Sequence, residues 1–509
     1  MRLNRDLLGT IRREKGDVVD VPAEELLDLP VKAVQFGTGN FLRGFLDDFL
    51  HRANREGKFG GRVVAIGSTG SARDAALREQ DGLYTLCVEG IENGEQVQQN
   101  RIISSLSRAI SATDDWEGVL ALARSPDIQF VFSNTTEVGI ADDTTSQFED
   151  APPASFPAKL TRFLYERGKA FDFDAAHGVT VIPCELIENN GNRLREIVLA
   201  IAKRWSLGGC FATWIDHRVP FCNTLVDRIV PGAPKGERVQ VFADKLGYED
   251  SMLTCCEPYR LFAIEGDDAL REKLTWAAVD PTGIVIAPDI SPYRKRKVHL
   301  LNGGHTIFVT AALAMGCETV VEAMSQPLLA DFVRRAMIDE IAPTLHVEDT
   351  VEFAEAVLDR FRNPFIKHAL IDITLQATMK MRVRVVPPIR WYIEEKGVVP
   401  QALAFGFAAF LNFMQGTLQE SRRARGLNVP TDGAAPKFVE YWKDFPPEPT
   451  APVGALVKAI CADVSLWGTD LTALPGFHDA VTEYLSRIRH DGMAAALEHH
   501  LTEAQGMTA

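Results

Sequence analysis

An apolar strand that runs into a glycine turn and then into a helix constrains the fold of this chain more than any other feature. The strand is Val31-Lys-Ala-Val-Gln-Phe36, the turn is Gly37-Thr-Gly39-Asn-Phe-Leu-Arg-Gly44, and the helical run covers Phe45 to Ala53. Gly37 permits a tight turn, and Gly39 lets the backbone approach a pyrophosphate. Leu42 replaces the third glycine of G-x-G-x-x-G, and a purely structural turn explains a lone G-x-G nearly as often. The pattern predicts the start of a Rossmann-type unit, with Arg43 near the phosphates.

Further strands extend this unit. We expect them at Arg62–Gly67, Asp127–Ser133 and Gly178–Pro183, alternating with helices through about residue 270. This alternation favours an α/β domain with a mostly parallel sheet, in which ligands bind at the carboxyl ends of the strands. Ser68–Ser71 lacks the acidic residue that usually binds the ribose of NAD, and Arg73 lies close by, so these residues leave NAD and NADP both open. The expected dinucleotide contacts are Val34, Phe36, Gly37, Thr38, Gly39, Asn40, Phe41, Leu42, Arg43, Asn134, Thr136 and Glu137.

The second half of the chain is predicted to be helical. From about residue 288 the apolar spacing is helical, as in Thr306–Ala314, Val351–Phe361, Gln401–Gln415 and Leu456–Trp467. The segment Val279–Pro288 is the expected joint. We therefore predict a dinucleotide-binding domain at residues 1–285 and an all-helical substrate-binding domain at residues 286–509.

Just inside the helical half lies Lys297-Val-His-Leu-Leu-Asn302-Gly-Gly-His305. On an α-helix, Asn302 lies about 140° and His305 about 80° round from Lys297, so all three side chains can converge on one small molecule. A lysine preceded by Arg294, Lys295 and Arg296 is crowded by like charge, which favours the neutral amine that a base needs. An asparagine amide can stabilise developing charge on an oxygen. Alternatively, Lys297 is a solvated surface residue and His305 a core histidine.

Composition excludes several classes of protein. The chain has 509 residues and a net charge of −15, which disfavours nucleic acid or an anionic membrane as a partner. The N-terminus has no apolar signal core, and no apolar run is long enough to span a membrane. The eight cysteines have neither zinc-ligand nor disulfide-framework spacing, which favours reduced thiols, a cytoplasmic location and no metal site. The sequence does not determine the oligomeric state.

Four motifs in order resemble one family. These are G-x-G-N-F-L-R-G-F from Gly37, Gln80-Asp-Gly-Leu-Tyr84, Val226-Asp-Arg-Ile-Val-Pro231 and the K-x-x-x-x-N-x-x-H of Lys297. Together they are similar to the polyol-specific long-chain dehydrogenase family, often called the mannitol dehydrogenase family. The resemblance implies that Lys297 is the general base, that Asn302 and His305 polarise the reacting oxygen, and that Asp227 lines the substrate pocket. Mannitol dehydrogenases carry Cys-Asp-Asn where this chain has Cys184-Glu185-Leu186, and Leu186 cannot serve as a second oxyanion donor.

Within the family, five segments resemble the members that interconvert tagaturonate and altronate: Phe132–Glu137, Phe148–Pro152, Pro157–Arg162, Pro183–Ile187 and Arg360–His368. Those members also lack the acidic residue after the second strand and are regarded as NAD enzymes, so the resemblance implies NAD. It implies an anionic sugar-acid substrate, whose carboxylate needs a cation from among Lys367, Lys380, Arg382 and Arg384. The alternatives are a fructuronate reductase, a polyol 2-dehydrogenase, a zinc-dependent sugar dehydrogenase and a nucleotide-binding protein without catalysis.

Overall fold

The computed structural model describes residues 1–68, 72–135, 139–446 and 448–506. The chain divides into two compact units. The first comprises Met1–Gly90 and Glu95–Ile290, and the second comprises Ile91–Gly94 and Ser291–Ala509.

The first unit is an α/β domain. Its strands are β1 Val31–Phe36, β2 Arg62–Gly67, β3 Tyr84–Glu92, β4 Glu95–Ile103, β5 Leu106–Ser111, β6 Phe130–Ser133, β7 Thr180–Pro183, β8 Thr224–Asp227, β9 Thr254–Cys256, β10 Leu261–Glu265 and β11 Ile284–Ala287. Its α-helices are α1 Leu8–Lys15, α2 Asn40–Gly44, α3 Leu46–Arg55, α4 Ala72–Glu79, α5 Trp116–Ala123, α6 Phe156–Ala170, α7 Asn190–Arg204, α8 Gly209–Arg218, α9 Glu237–Leu246 and α10 Asp268–Lys273. Short 3-10 turns cover Arg5–Leu7, Glu24–Asp28, Ala175–His177 and Thr275–Val279.

The central sheet is parallel, with strand order β5-β2-β1-β6-β7. From β1 the chain adds β2 and then β5 on one side of the sheet, and it then adds β6 and β7 on the other side. The boundary between β1 and β6 is the topological switch point, where sheets of this kind bind ligands at the carboxyl edge. The expected α/β fold is confirmed, and the predicted strands β1 and β2 have the bounds seen in the structure.

Both faces of this sheet are buried, which explains why most residues of its strands are apolar. Along β1, Ala33 packs in one hydrophobic cluster, whereas Val34 and Phe36 pack in a second. Neighbouring β2 divides in the same way, with Val63 and Ala65 in the first cluster. Successive side chains of a strand point to opposite faces, so a parallel sheet covered on both sides has no polar face.

Two smaller sheets complete the first unit, with orders β11-β10-β8 and β4-β3-β9. β11 lies within the segment that the sequence suggested as a joint, and it pairs in parallel with β10. Because this strand is part of a sheet, the first unit continues to Ile290.

A buried ion network ties these parts together. Asp48 on α3 accepts from Arg228, just after β8, at 2.8 Å and from Arg101 on β4 at 3.0 Å. Arg228 also donates to the carbonyl oxygens of Gly44 and Glu257. Burial alone would raise the pKa of Asp48, but Arg101 and Arg228 outweigh it and hold that pKa below its ordinary value. The carboxylate is therefore ionised, and it fixes α3 against two sheets.

The second unit is helical, as expected. Its α-helices are α11 Ser291–Arg296, α12 Gly303–Ala314, α13 Val320–Met324, α14 Pro327–Arg334, α15 Thr350–Phe361, α16 Leu370–Ile373, α17 Ala377–Arg384, α18 Val386–Lys396, α19 Gln401–Met414, α20 Thr417–Ala424, α21 Ala435–Trp442, α22 Gly454–Ala462, α23 Val464–Trp467, α24 Phe477–Asp491 and α25 Met493–Gly506. π-helices cover Lys297–Asn302 and Arg335–Ile341, and 3-10 turns cover Ala342–Thr344 and Leu471–Ala473. Across the described residues, no helix is both long and apolar enough to cross a membrane.

Helix α19 forms the centre of this unit and packs against α12 and α24. Gly406 permits the close approach to α12, because a Cβ there would lie 2.5 Å from the side chain of Ile307. The buried carboxylate of Glu340 accepts from the first free N–H groups of α19, at Ala402 and Leu403.

One helix prediction in this unit is wrong. Leu456–Trp467 is not continuous, because Asp463 leaves the helical conformation and its side chain accepts from the N–H of Ser465, which starts α23.

The network around Asp48 gives a stability prediction. Asp48→Asn should lower the free energy of unfolding by about 3–5 kcal/mol, because Arg228 would remain buried without a counter-charge. The matched control is Asp20→Asn, which breaks an exposed pair with Arg55 and should cost about 0–1 kcal/mol. Urea unfolding of both variants measures the difference, and equal losses would contradict the central role of Asp48.

Candidate functional site

The predicted turn lies at the switch point of the sheet. Phe36, the last residue of β1, pairs with Ser133, the last residue of β6, so Gly37 and Asn134 follow adjacent strand ends. Gly37 has φ of 132°, and a Cβ there would lie 3.1 Å from the carbonyl oxygen of Asn134. A Cβ at Gly39 would meet no described atom within 4 Å. The turn is thus tight at Gly37 and open at Gly39, as a close approach of backbone to phosphate requires.

The turn is held from below by Arg43. Its guanidinium is buried and donates to the Thr38 carbonyl oxygen, to Asn40 Oδ1 at 2.7 Å and to Thr254 Oγ1 at 3.2 Å. The sequence suggested that Arg43 reaches a phosphate, whereas the structure engages this side chain within the protein. Val34, Phe36, Thr38 and Leu42 are buried as well, and Asn40 and Phe41 are partly exposed.

The end of β6 is fixed by a carboxylate that the sequence did not single out as a site residue. Glu185, just after β7, accepts from the N–H and hydroxyl of Thr135 at 3.0 and 3.1 Å and from Ser133 Oγ at 3.0 Å. Burial raises the pKa of Glu185, and these hydrogen bonds act against that rise. The signal was an acidic residue directly after a buried strand. Of the expected contacts here, Asn134 is partly exposed, and Thr136 and Glu137 lie outside the described residues.

A second buried carboxyl, Asp47, lies below the turn. Tyr84 donates to the carbonyl oxygen of Arg43 at 2.8 Å, and its hydroxyl lies 3.4 Å from Asp47 Oδ2. Gln35 donates to the carbonyl oxygen of Gly37 at 3.1 Å. Burial raises the pKa of Asp47 to about 8, against the effects of Arg43, Gln35 and Tyr84, which act to lower it.

Two buried oxygens, Oδ1 of Asp47 itself and Oε1 of Gln35, have no hydrogen-bond partner among the described atoms. A protonated Asp47 can donate to Gln35 and so give both oxygens a partner. Asp47 is therefore a neutral carboxyl near pH 7, and through Gln35 it supports the conformation of Gly37.

Asp227 is the last residue of β8 and is buried, opposite Leu261 in the neighbouring strand. Its neighbour Arg228 takes part in the Asp48 network. Arg228 therefore has a structural role in this motif, whereas Asp227 keeps its predicted role of lining the substrate pocket.

In the second unit, the lysine motif adopts a different helix from the one assumed. Lys297–Asn302 is a π-helix and leads directly into α12. Its hydrogen bonds join residues five apart, so Asn302 stacks more nearly over Lys297 than the angle of about 140° on an α-helix allows. His305 follows one turn later. All three side chains are partly exposed, and π-turns of this kind are frequent at functional sites.

His305 lies in an aromatic and cationic environment. Its ring centroid lies 4.0 Å from that of Phe361 and 5.1 Å from that of His368. Burial lowers the pKa of His305 well below its ordinary value, and the positive charges of His368, Arg360 and Arg384 act in the same direction. The imidazole is therefore neutral at pH 7, and it can donate from one nitrogen while accepting at the other.

The predicted flanking and carboxylate-binding cations are dispersed. Lys295 donates to the Leu345 carbonyl oxygen, and Arg296 donates to the carbonyl oxygens of Glu348 and Asp349. These two cations are thus engaged with another segment. Of the candidates for a carboxylate, Lys367 is exposed, Lys380 is partly buried, and Arg382 is exposed beside Gly468.

Within the described part of the chain, no three His, Cys, Asp or Glu side chains are grouped to hold a metal ion. The eight cysteines are free thiols, and only Cys210 is exposed.

Comparison with known proteins gives consistent matches over nearly the whole chain. Residues 31–278 match the family described as the mannitol dehydrogenase Rossmann domain, and residues 289–489 match the mannitol dehydrogenase C-terminal domain. The chain is 41% identical to altronate oxidoreductase of Bacillus subtilis (strain 168) over 473 residues, which are 92% of this chain and 95% of that protein.

Two solved structures resemble the protein in fold. A ternary complex of Pseudomonas fluorescens mannitol 2-dehydrogenase with NAD and D-mannitol has a TM-score of 0.66 at 23% identity, covering 99% of this chain and all of the other. A substrate-free D-sorbitol dehydrogenase has a TM-score of 0.76 at 22% identity, covering 98% of this chain and all of the other.

The raised pKa of Asp47 predicts a pH dependence of stability. The folded-state pKa of about 8 lies above the ordinary value of 3.8, so the protonated carboxyl of Asp47 stabilises the folded state. This contribution is complete below about pH 4 and is lost as the pH rises through about 8. Between about pH 5 and 7 the group should lower wild-type stability by roughly 1.4 kcal/mol per pH unit. Asp47→Asn, whose amide can still donate to Gln35, should lack this slope. Urea unfolding at pH 5, 6 and 7 tests the prediction, and identical slopes would contradict it.

Proposed function

The chain belongs to the mannitol dehydrogenase family, and we propose that it is an NAD-dependent oxidoreductase that reduces the keto-sugar acid tagaturonate to altronate. The observation that carries this proposal is the 41% identity to altronate oxidoreductase across 92% of the chain. The proposed substrate is a small anionic sugar acid, and the proposed location is the cytoplasm. A fructuronate reductase or polyol 2-dehydrogenase on the same scaffold is the alternative.

The first unit fits a nicotinamide dinucleotide. The tight turn at Gly37 and the open space at Gly39 lie at the switch point of the sheet, where a pyrophosphate can approach the backbone. Asn134 stands at the adjacent strand end, supported by the hydrogen bonds that Glu185 accepts. When bound, the cofactor supplies the hydride that adds to the keto carbon of the substrate.

The lysine motif of the second unit supplies the proton chemistry. In the reduction, the ammonium group of Lys297 gives a proton to the former keto oxygen, and in the oxidation the neutral amine removes it. The amide of Asn302, which the π-helix turns closer to Lys297 than an α-helix would, donates to the same oxygen as negative charge develops. The neutral imidazole of His305 donates to a neighbouring hydroxyl without adding charge.

The decisive experiment compares substrates. With NADH, tagaturonate should exceed fructose by at least about tenfold in kcat/KM, because a charge-assisted hydrogen bond to a carboxylate is worth roughly 1.5–3 kcal/mol. The same assay with fructuronate and with NADPH separates the alternatives. Equal or better activity on fructose would reject the sugar-acid assignment, and absence of all NADH oxidation would favour a non-catalytic protein.

Lys297→Ala should lower kcat by roughly 10²–10⁴-fold, the usual contribution of general acid–base catalysis, and leave NADH affinity nearly unchanged. Lys396→Ala, at the exposed end of α18, is the matched control and should behave as wild type. Steady-state rates and NADH fluorescence titration measure the two effects. A Lys297→Ala rate within about threefold of wild type would remove this residue from the mechanism.

A further inference from the structure

The two arginines of α17 lie on opposite sides of that helix. Arg382 and Arg384 are two residues apart, which separates their side chains by about 200°. Arg384 Nη1 lies 3.3 Å from Thr306 Oγ1 and 3.5 Å from the Asn302 carbonyl oxygen. Arg382 is exposed, and its guanidinium lies where a Cβ at Gly468 would approach within 3.1 Å. Only Arg384 therefore contacts the segment that carries Asn302.

Arg384 has neutral partners only. It is partly buried, and within the described residues its side chain bonds to one carbonyl and one hydroxyl oxygen and forms no ion pair. Removing a guanidinium from water is costly unless a counter-charge is supplied. By contrast, the buried Arg228 of the first unit has its carboxylate partner in Asp48.

One other cation, Lys380, lies near this guanidinium, together with two imidazoles whose pKa values are lowered. Lys380 is one helical turn away on the same face of α17, and its ammonium donates to the Ile373 carbonyl oxygen at 2.8 Å. The His305–His368 ring pair lies within the electrostatic range of Arg384 and Lys380. The nearby acids are engaged or exposed: Asp432 accepts from the N–H and hydroxyl of Thr378, and Asp372 is exposed. Within the described residues, neither of these acids forms an ion pair with Arg384 or Lys380, whose printed partners are neutral oxygens.

We propose that Arg384 binds the carboxylate of the substrate, with Lys380 as the second cation, and that this pair determines the preference for a sugar acid over a neutral ketose. The inference rests on the proposed function. The planar guanidinium matches a carboxylate with two parallel hydrogen bonds. Because Arg384 also contacts the Asn302 backbone, it fixes the charged end of the substrate relative to the amide that holds the reacting oxygen.

The test measures kcat/KM of Arg384→Gln with tagaturonate and with tagatose, which has a hydroxymethyl group in place of the carboxylate. The value for tagaturonate should fall about ten- to a hundredfold, as expected for a lost bond to a charged group, while that for tagatose stays within about threefold. Activity on tagatose also reports that the variant is folded. Arg384→Lys, which keeps the charge but not the fork, should recover part of the loss. Arg390→Gln, on the exposed face of α18, is the matched control.

Three results would overturn the inference. An equal loss on both substrates means that Arg384 only supports Asn302. Unchanged activity of Arg384→Gln on tagaturonate means that another residue binds the carboxylate. A loss of activity on tagaturonate but not on tagatose in Arg382→Gln means the same. In these cases the wild-type enzyme still reduces tagaturonate and the proposed function stands. If the wild-type protein reduces tagatose but not tagaturonate, the proposed function itself is wrong.

Discussion

The buried pair between Asp48 and Arg228 is the interaction on which the geometry of the first unit depends. Asp48 lies on the helix that follows the glycine turn, and Arg228 follows the strand that ends in Asp227. Breaking such a pair is expensive because the remaining charge stays buried, so the pair fixes the helix relative to the strand. The carbonyl of Gly44, the last residue of α2, is held by the same guanidinium, which extends the constraint to the turn itself.

Around this anchor, the polar residues of the turn serve its shape. Arg43 and Gln35 are buried and donate to carbonyl oxygens of the turn, at Thr38 and Gly37, and the buried Asp47 accepts from Tyr84. This leaves the backbone at Gly39 open, which is what recognition of a pyrophosphate by main-chain groups requires. A charged side chain in a binding motif can thus support the backbone that faces the ligand without contacting the ligand itself. In the second unit, the π-helix at Lys297–Asn302 turns Asn302 closer to the direction of Lys297 than an α-helix would.

The charged groups near the glycine turn and those near His305 differ in sign and in how they are compensated. Beneath the turn, carboxyls are either paired, as in Asp48, or neutral, as in Asp47 with its raised pKa. Around His305 the charges are positive and the imidazole is held neutral. A chain with a net charge of −15 repels anions at long range, so the proposed sugar-acid substrate requires a local cluster of cations.

The sequence by itself determined the strand, glycine turn and helix at Val31–Ala53, the parallel sheet and the helical second half, because these depend on local spacing of apolar residues and glycines. The order of its motifs also pointed to the family that the comparisons establish. Only the tertiary structure decided that Arg43 turns inward, that Glu185 braces Thr135, and that Arg384 rather than Arg382 meets Asn302. Spacing along the chain specifies the rotation of a side chain about its own helix, whereas its partner is set by packing between segments far apart in sequence. An α-helical projection likewise misses the π-turn, because it assumes 100° per residue and hydrogen bonds four residues apart throughout.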